Sequence, residues 1–151
     1  MKKLLLILMI GVVFMSCAKE DKVAVISTKF GKMIVEFYDD VAPMHVESFK
    51  ILADEGYFNK TTFHRVIPGF VIQGGDPNSK DDDRMNDGTG GRAGKFFGIG
   101  REDDPASWNL PAEFNDKEHV KGTLSMARSS NPNSGSSQFF ICHAATPQLN
   151  N

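Results

Sequence analysis

Residues 62–76 constrain the fold of this 151-residue chain more than any other stretch. Two β-rich runs, at 62–67 and 70–73, are separated by Pro68-Gly69, and Gly74-Gly75-Asp76-Pro77 follows the second run. Proline and glycine favour tight turns, so the pattern predicts two short strands that are joined by a turn and end abruptly.

The rest of the chain repeats this pattern of short β-rich runs with turn formers between them. Further strands are predicted at 23–28, 32–38, 110–114, 123–127 and 138–142, the first two joined by a hairpin turn at 29–31. One helix is predicted to begin at Pro43 and to end at Gly56, with Asp39 or Asp40 near its start to cap it or to interact favourably with its dipole. Strands with a single inserted helix favour an antiparallel sheet or barrel over a parallel α/β fold.

Residues 78–109 differ from the rest because they mix acidic runs with turn formers. Asp81-Asp82-Asp83 and Asn86-Asp87-Gly88 predict a long irregular excursion, and loops of that length in a compact domain are usually functional or mobile. A calcium loop is disfavoured, because Met85 and Gly94 occupy positions that need oxygen ligands. A solvated acidic loop is the preferred interpretation.

The composition fits one globular domain and excludes some partners. The chain is 40% hydrophobic and 24% charged, with a formal net charge of −2. No basic face is clustered in the sequence, so nucleic acid is not predicted as a partner. His45, His64, His119 and His143 lack the spacing of a metal site, so no metal is predicted either.

The N-terminus has the pattern of an export signal. Lys2 and Lys3 precede an apolar run at 4–15 that is shorter than a membrane-spanning helix, and Ser16-Cys17 follows. The stretch resembles the lipobox of bacterial lipoproteins. The predicted organisation is therefore a signal peptide at 1–16, a lipidated Cys17 with a tether at 17–22, and a domain at 23–151. An ordinary cleaved signal or an uncleaved anchor are the alternatives.

This organisation predicts a location and a state for the second cysteine. Acylation at Cys17 would hold an exported monomer at the membrane of the bacterial cell envelope. Cys142 then has no partner for a disulfide, and its place in an apolar run predicts a buried, inert thiol.

The residues at 62–76 and 125–142 predict a site for proline-containing peptides. Strand alternation places Arg65 on one face of its strand, Gln73 on one face of the next, and Gln138 and Phe140 on the same side of a third. Rotation about a peptide bond has a barrier of about 18–20 kcal/mol and breaks no bond, so it needs neither nucleophile nor metal. A guanidinium that donates to the prolyl nitrogen would stabilise the twisted amide, while apolar groups hold the ring and amides orient the neighbouring carbonyls.

Two blocks carry a family resemblance. Phe63-His64-Arg65-Val66-Ile67-Pro68-Gly69-Phe70 with Gln73-Gly74-Gly75-Asp76, together with Ser137-Gln138-Phe139-Phe140, resembles a bacterial cyclophilin, and the similarity runs over residues 23–149. The resemblance implies a mainly β fold, an antiparallel eight-stranded β-barrel capped by helices, with the peptide groove on its outer face. It also implies peptidyl-prolyl cis-trans isomerase activity without a cofactor.

The resemblance assigns roles to individual residues. Arg65 matches the catalytic arginine. The proline-pocket residues are matched by Phe70, Val71, Phe140 and Leu149. The amides that orient the substrate are matched by Gln73 and Gln138. The segment that pairs with peptide backbone is matched by Ala127 and Arg128. Val71 replaces a common methionine, Arg128 stands where asparagine is frequent, and Gln148 replaces a tryptophan that helps to hold cyclosporin. Weak cyclosporin binding is therefore expected.

The family pattern continues beyond Leu149-Asn150-Asn151 with another strand, a histidine in the groove and a second helix. We therefore expect the barrel's last strand and second helix to be missing from this chain. Three hypotheses follow: an isomerase for exported proteins, a cyclophilin-like chaperone that binds peptides without significant turnover, and an inactive remnant.

Overall fold

A computed structural model describes residues 22–150 of the chain. The predicted signal peptide, Cys17 and most of the tether lie outside the described residues. Within the described range, no helix has the length and apolar character needed to cross a membrane.

The described residues form six short strands and one α-helix, so the predicted mainly β fold is confirmed. In chain order, the elements are β1 (Ala24–Thr28), β2 (Gly31–Val35), α1 (Pro43–Asp54), β3 (Arg65–Val66), β4 (Val71–Gly74), β5 (Leu124–Met126) and β6 (Phe139–Cys142). Short 3₁₀ turns cover Pro77–Lys80, Pro105–Ser107 and Pro147–Leu149. β1 and β2 form a hairpin, and the other strands form a second sheet in the order β3-β4-β6-β5, with every pair antiparallel.

Several predicted strands are shorter than expected, and the largest differences are at 62–67, which is reduced to β3, and at 110–114, which forms no strand. At 62–67 only β3 is a strand, and the Thr62 amide donates to Ser79 Oγ at 2.9 Å. At 110–114 a single bridge joins Leu110 to Gly135. Pro111 has no amide hydrogen to extend this bridge, so the ladder stops there.

Helix α1 begins at Pro43 as predicted, but a side-chain cap, one of the two roles expected of Asp39 or Asp40, is not found. Neither Asp39 nor Asp40 caps it; the Glu113 carboxylate accepts from the amides of Met44 at 3.0 Å and His45 at 2.9 Å. Two backbone amides accordingly bind a carboxylate that lies almost seventy residues away in sequence. Negative charge at a helix N-terminus is stabilising, so α1 is tied to the 110–114 region at its first turn.

The core lies between α1 and the four-stranded sheet. Phe49 of α1 is 8% exposed and Phe139 of β6 is 5% exposed, and their ring centroids are 5.6 Å apart in an edge-to-face arrangement. Phe58 packs against both rings. Because neighbouring side chains on a strand point to opposite faces, burying Phe139 against α1 directs Phe140 to the other face.

Candidate active site

Cross-strand register brings three predicted site residues, Arg65, Gln73 and Phe140, to one face of the sheet, together with Ser125. Arg65 is opposite Gln73, Gln73 is opposite Phe140, and Phe140 is opposite Ser125. Directly paired residues share a face, so this row crosses all four strands on the side away from the helix. We call this side the site face.

A chain of hydrogen bonds joins the polar residues of the site face to the 78–109 segment. Arg65 Nη1 donates to Gln73 Oε1 at 3.2 Å, and Gln73 Nε2 donates to Gln138 Oε1 at 3.0 Å. Gln138 Nε2 donates in turn to the carbonyl oxygens of Gly88 at 3.0 Å and Gly90 at 2.6 Å. Each amide thereby has its oxygen and nitrogen fixed in one orientation, which orients the guanidinium as well.

The predicted proline-pocket residues contribute unequally to the surface. Phe70, Phe140 and Leu149 are half-buried, Leu149 at the end of the Pro147–Leu149 turn. The Arg65 guanidinium carbon lies 5.9 Å from the centroid of the Phe70 ring. Val71 is only 2% exposed, so it supports the site face from within and presents little surface to a ligand.

The predicted backbone-pairing segment lies beside this row. The Ala127 amide donates to the Gln138 carbonyl oxygen at 3.0 Å, so that amide is already used within the protein. Arg128 is exposed, and its guanidinium carbon lies 5.7 Å from the Phe114 ring centroid. Its side chain is therefore directed toward Phe114.

The comparisons with known proteins agree on one family. The family described as cyclophilin type peptidyl-prolyl cis-trans isomerase/CLD matches residues 23–151. This chain belongs to that family. The cyclophilin resemblance read from residues 63–76 and 137–140 is thereby confirmed, and with it the enzyme class.

Individual proteins match over most of the chain. A peptidyl-prolyl cis-trans isomerase of Synechococcus elongatus is 40% identical over 126 residues, which are 83% of this chain and 72% of the relative. A probable peptidyl-prolyl cis-trans isomerase of Brucella abortus is 41% identical over 89% of this chain and 64% of the relative. The crystal structure of a Cryptosporidium parvum cyclophilin in the presence of the dipeptide Ala-Pro superposes with a TM-score of 0.70 and 32% identity, covering 85% of this chain and 72% of that one.

One residue beside the site face was missed by the sequence reasoning, which considered His119 only as a metal ligand. In this cyclophilin its ring stacks on Phe140, with centroids 5.7 Å apart and planes at 20°. Its Nε2 lies 3.1 Å from Ser125 Oγ, and its Nδ1 lies 3.0 Å from Asn150 Oδ1. Asn150 lies 31 residues away in sequence and Ser125 only six, and these spacings follow no period, so no local signal marks His119. Its position makes it a wall behind a predicted proline-pocket residue.

The turn before Phe70 is held by a second histidine. The Gly69 amide donates to His143 Nδ1 at 2.9 Å, and the His143 amide donates to the Phe70 carbonyl oxygen at 2.8 Å. Gly69 has a φ of +76°, which favours glycine at that position. The Pro68-Gly69 signal therefore marks a turn that the cyclophilin fold fixes from both sides.

A cavity of about 660 Å³ opens beside Arg65, between the 62–65 strand region and the 78–109 segment. Its walls include Thr62, His64, Arg65, Gln73, Arg84 and Asp87. Residues 22–150 contain no group of three His, Cys, Asp or Glu residues placed to hold a metal ion. Because Arg65 and Gln73 belong both to the cavity wall and to the hydrogen-bonded row of the site face, the cavity adjoins that row.

Proposed function

We propose that this cyclophilin accelerates cis/trans isomerisation of Xaa-Pro bonds in exported proteins, with Arg65 assisting the twist of the prolyl amide. The observation that carries the proposal is the hydrogen-bonded row from Arg65 through Gln73 to Gln138, which lies beside the aromatic rings of Phe70 and Phe140. The uncatalysed step takes tens to hundreds of seconds, so an exported protein with such bonds gains from an accelerator.

Arg65 has the donors that the twisted amide needs. A guanidinium carries five N–H donors, and the bond to Gln73 uses Nη1. The side chain is exposed on the site face, so its remaining donors can meet a peptide. When the prolyl C–N bond twists, the nitrogen loses resonance with the carbonyl and becomes a better acceptor. A bond that strengthens in the twisted state lowers the barrier.

Preorganisation is supplied by the residues behind Arg65. Gln73 is held by Gln138, and Gln138 is held by two backbone carbonyls, so the guanidinium is placed before substrate arrives. Donors fixed in advance cost no reorganisation during the reaction. No covalent intermediate enters this mechanism, because the reaction rotates a bond and breaks none.

Substrate binding follows from the same surface. The half-buried rings of Phe70 and Phe140 and the Leu149 side chain supply apolar area for a proline ring. The Ala127 amide already donates to the Gln138 carbonyl oxygen. We therefore expect an extended peptide to bind the carbonyl oxygen of Ala127.

The substrate pool and location are proposed from the N-terminal pattern. A positive n-region, an apolar run at 4–15 and Ser16-Cys17 support export and lipidation at Cys17. A monomer anchored by lipid on the outer side of the membrane would act on polypeptides as they emerge from export on that side. Metabolic labelling with a palmitate analogue, compared between the native chain and Cys17→Ala, tests the anchor.

The catalytic proposal is tested with a proline-containing peptide and the variant Arg65→Ala. We expect kcat/KM to fall by about 10²–10³-fold, the loss typical of removing one preorganised donor, while the far-UV circular dichroism stays unchanged. Arg101→Ala is the matched control, because Arg101 is exposed and paired with Asp104 outside the site face. Turnover that survives Arg65→Ala would refute the role of Arg65. Peptide binding by calorimetry with no turnover in the native chain would favour the peptide-binding chaperone.

A further inference from the structure

Part of the lining of the cavity beside Arg65 is not used by the isomerisation mechanism. Thr62, His64, Arg84 and Asp87 contribute to its walls along with Arg65 and Gln73. We propose that it is a specificity subsite for an acidic side chain, Asp or Glu, carried by the substrate polypeptide near its proline, with Arg84 as the recognising cation. The proposal rests on the proposed function, because the cavity shares Arg65 and Gln73 with the site face.

The cavity is large enough for this task. Its volume of about 660 Å³ falls within the range of about 300–1,000 Å³ usual for ligand pockets, so it has room for a side chain and part of its backbone. It is continuous with the catalytic guanidinium, since Arg65 forms part of its wall. A peptide with its proline on the site face can therefore reach the cavity with a residue close to that proline.

Exposure decides which charge a ligand meets. The Arg84 side chain is 63% exposed, whereas the side chain of its ion-pair partner Asp87 is only 9% exposed. Arg65 is exposed as well. The three charged residues of the wall sum to +1, and the charge at the surface of the cavity is cationic. This favours an anionic side chain over a cationic one.

Arg84 keeps donors available for a carboxylate. Its bonds to Thr62 Oγ1 at 3.4 Å and to Asp87 Oδ2 at 3.3 Å both use Nη1. Both distances are long for a charge-assisted bond, so a better-placed carboxylate competes well with them. Nη2 and Nε then provide the parallel pair of donors that a carboxylate accepts from an arginine.

The segment around Arg84 is braced from within. The Met85 amide donates to Asp83 Oδ1 at 2.9 Å, and the Gly88 amide donates to the buried carboxylate of Asp76. Asp81 and Asp82 are exposed and are not among the wall residues. Their repulsion of an acidic ligand is screened at physiological salt, whereas a direct contact with Arg84 is screened less.

The test is a panel of matched Xaa-Pro peptides with Glu, Gln or Lys at each of the three positions on either side of the Xaa-Pro bond. For the native chain we expect the kcat/KM ratio of Glu to Gln peptides to reach about three- to tenfold at one position. Arg84→Gln should bring that ratio close to one, and Arg84→Glu should shift the preference toward Lys. Arg101→Gln removes another exposed arginine of an i,i+3 pair with aspartate and should keep the native ratio.

The outcomes separate the subsite from the isomerase itself. If Gln peptides are turned over and the kcat/KM ratio of Glu to Gln peptides is one at every position, the subsite proposal is wrong and the isomerase proposal stands. A native preference for Lys would overturn the assigned charge. Should no peptide be turned over, the proposed function fails, and calorimetric binding of the Glu and Gln peptides to the native chain and Arg84→Gln still decides the subsite.

Discussion

The four-stranded sheet and the 78–109 segment both border the site, but different bonds hold them in place. The sheet is built from backbone ladders between neighbouring strands. The segment has backbone bonds of its own, such as that from the Ala93 amide to the Trp108 carbonyl oxygen at 2.9 Å, but buried side chains also hold its backbone amides. Asp76 accepts from Asn78 and Gly88, and Ser48 Oγ accepts from Gly94 at 2.8 Å. Asp76 and Ser48 are both 0% exposed.

This difference predicts how sensitive each region is to substitution of a single side chain. A ladder spreads its free energy over many equivalent backbone bonds, so a single side chain seldom decides whether it forms. A segment tied by single side chains loses several bonds when one of them is removed, and a buried amide left without an acceptor costs about 1–3 kcal/mol. An irregular loop can thus be more sensitive to substitution than the sheet it borders.

The largest effect is expected for Asp76→Ala. The substitution removes a buried carboxylate that accepts from two backbone amides, so we expect the free energy of unfolding to fall by about 3 kcal/mol. Urea denaturation followed by circular dichroism measures it. Asp82→Ala, at an exposed position of the same segment, should change the value by less than about 0.5 kcal/mol. Equal losses in the two variants would contradict the comparison.

A second substitution acts where the two regions meet. Gln138→Leu removes the bonds to Gln73 and to the carbonyls of Gly88 and Gly90, so we expect kcat/KM to fall by about tenfold. On the proposed mechanism Gln138 acts through Arg65, so the double variant with Arg65→Ala should lose little more than Arg65→Ala alone. Peptide isomerisation kinetics on the four proteins of this cycle give the coupling. Fully additive losses would show that the row does not act as a unit.

A smaller effect is expected at His119, on the sheet side. His119→Ala removes the ring stacked on Phe140, and we expect KM for a proline peptide to rise by about fivefold with little change in kcat. His119→Phe keeps a stacking ring and loses the bonds to Ser125 and Asn150, so its KM should lie between those of the native chain and the alanine variant. An alanine variant that loses kcat at constant KM would exclude this positioning role.

The smallest effect is a pH dependence at Tyr57, whose ring lies under two cations of the 78–109 segment, Lys80 and Arg92. Burial raises the pKa of the Tyr57 hydroxyl above its ordinary value of 10.0. The folded state therefore keeps the proton longer, and this contribution to stability is complete below pH 10 and is lost as the pH rises through the raised pKa.

Tyr57→Phe should accordingly show a shallower fall of the unfolding free energy above pH 10 than the native chain. Urea denaturation at a series of pH values measures the slope. Tyr38→Phe is the matched control, because Tyr38 is 56% exposed. Identical slopes in the two variants would show that Tyr57 is not the group responsible.

The regular elements and one side of the site were accessible from the sequence. The alternation at 62–76 predicted the face shared by Arg65 and Gln73, and the apolar run at 138–142 predicted β6 and the buried Cys142. These features leave a local trace because strand alternation and turn residues are properties of neighbouring positions.

The contacts that complete the site leave no such trace. The bond from Gln138 to Gly90 spans 48 residues, and the Glu113 carboxylate reaches amides 68 and 69 residues away. Single side chains that bind backbone across these separations have no period, so the sequence led instead to Asp39 or Asp40 at the helix start and did not show which bonds join the 78–109 segment to the site. The proposed duties of Arg65 and of the pocket residues stay predictions until the variants are measured.

The double bond from Gln138 to the carbonyls of Gly88 and Gly90 has a consequence for how this protein can change over time. The glycine stretch that borders the cavity also anchors the hydrogen-bonded row from Gln138 through Gln73 to Arg65. A loop mutation that shifts these carbonyls is transmitted through two amides to the guanidinium of Arg65. On the proposed mechanism and subsite, substrate preference and catalytic rate would change together, so a lineage that remodels this loop would alter both in the same step.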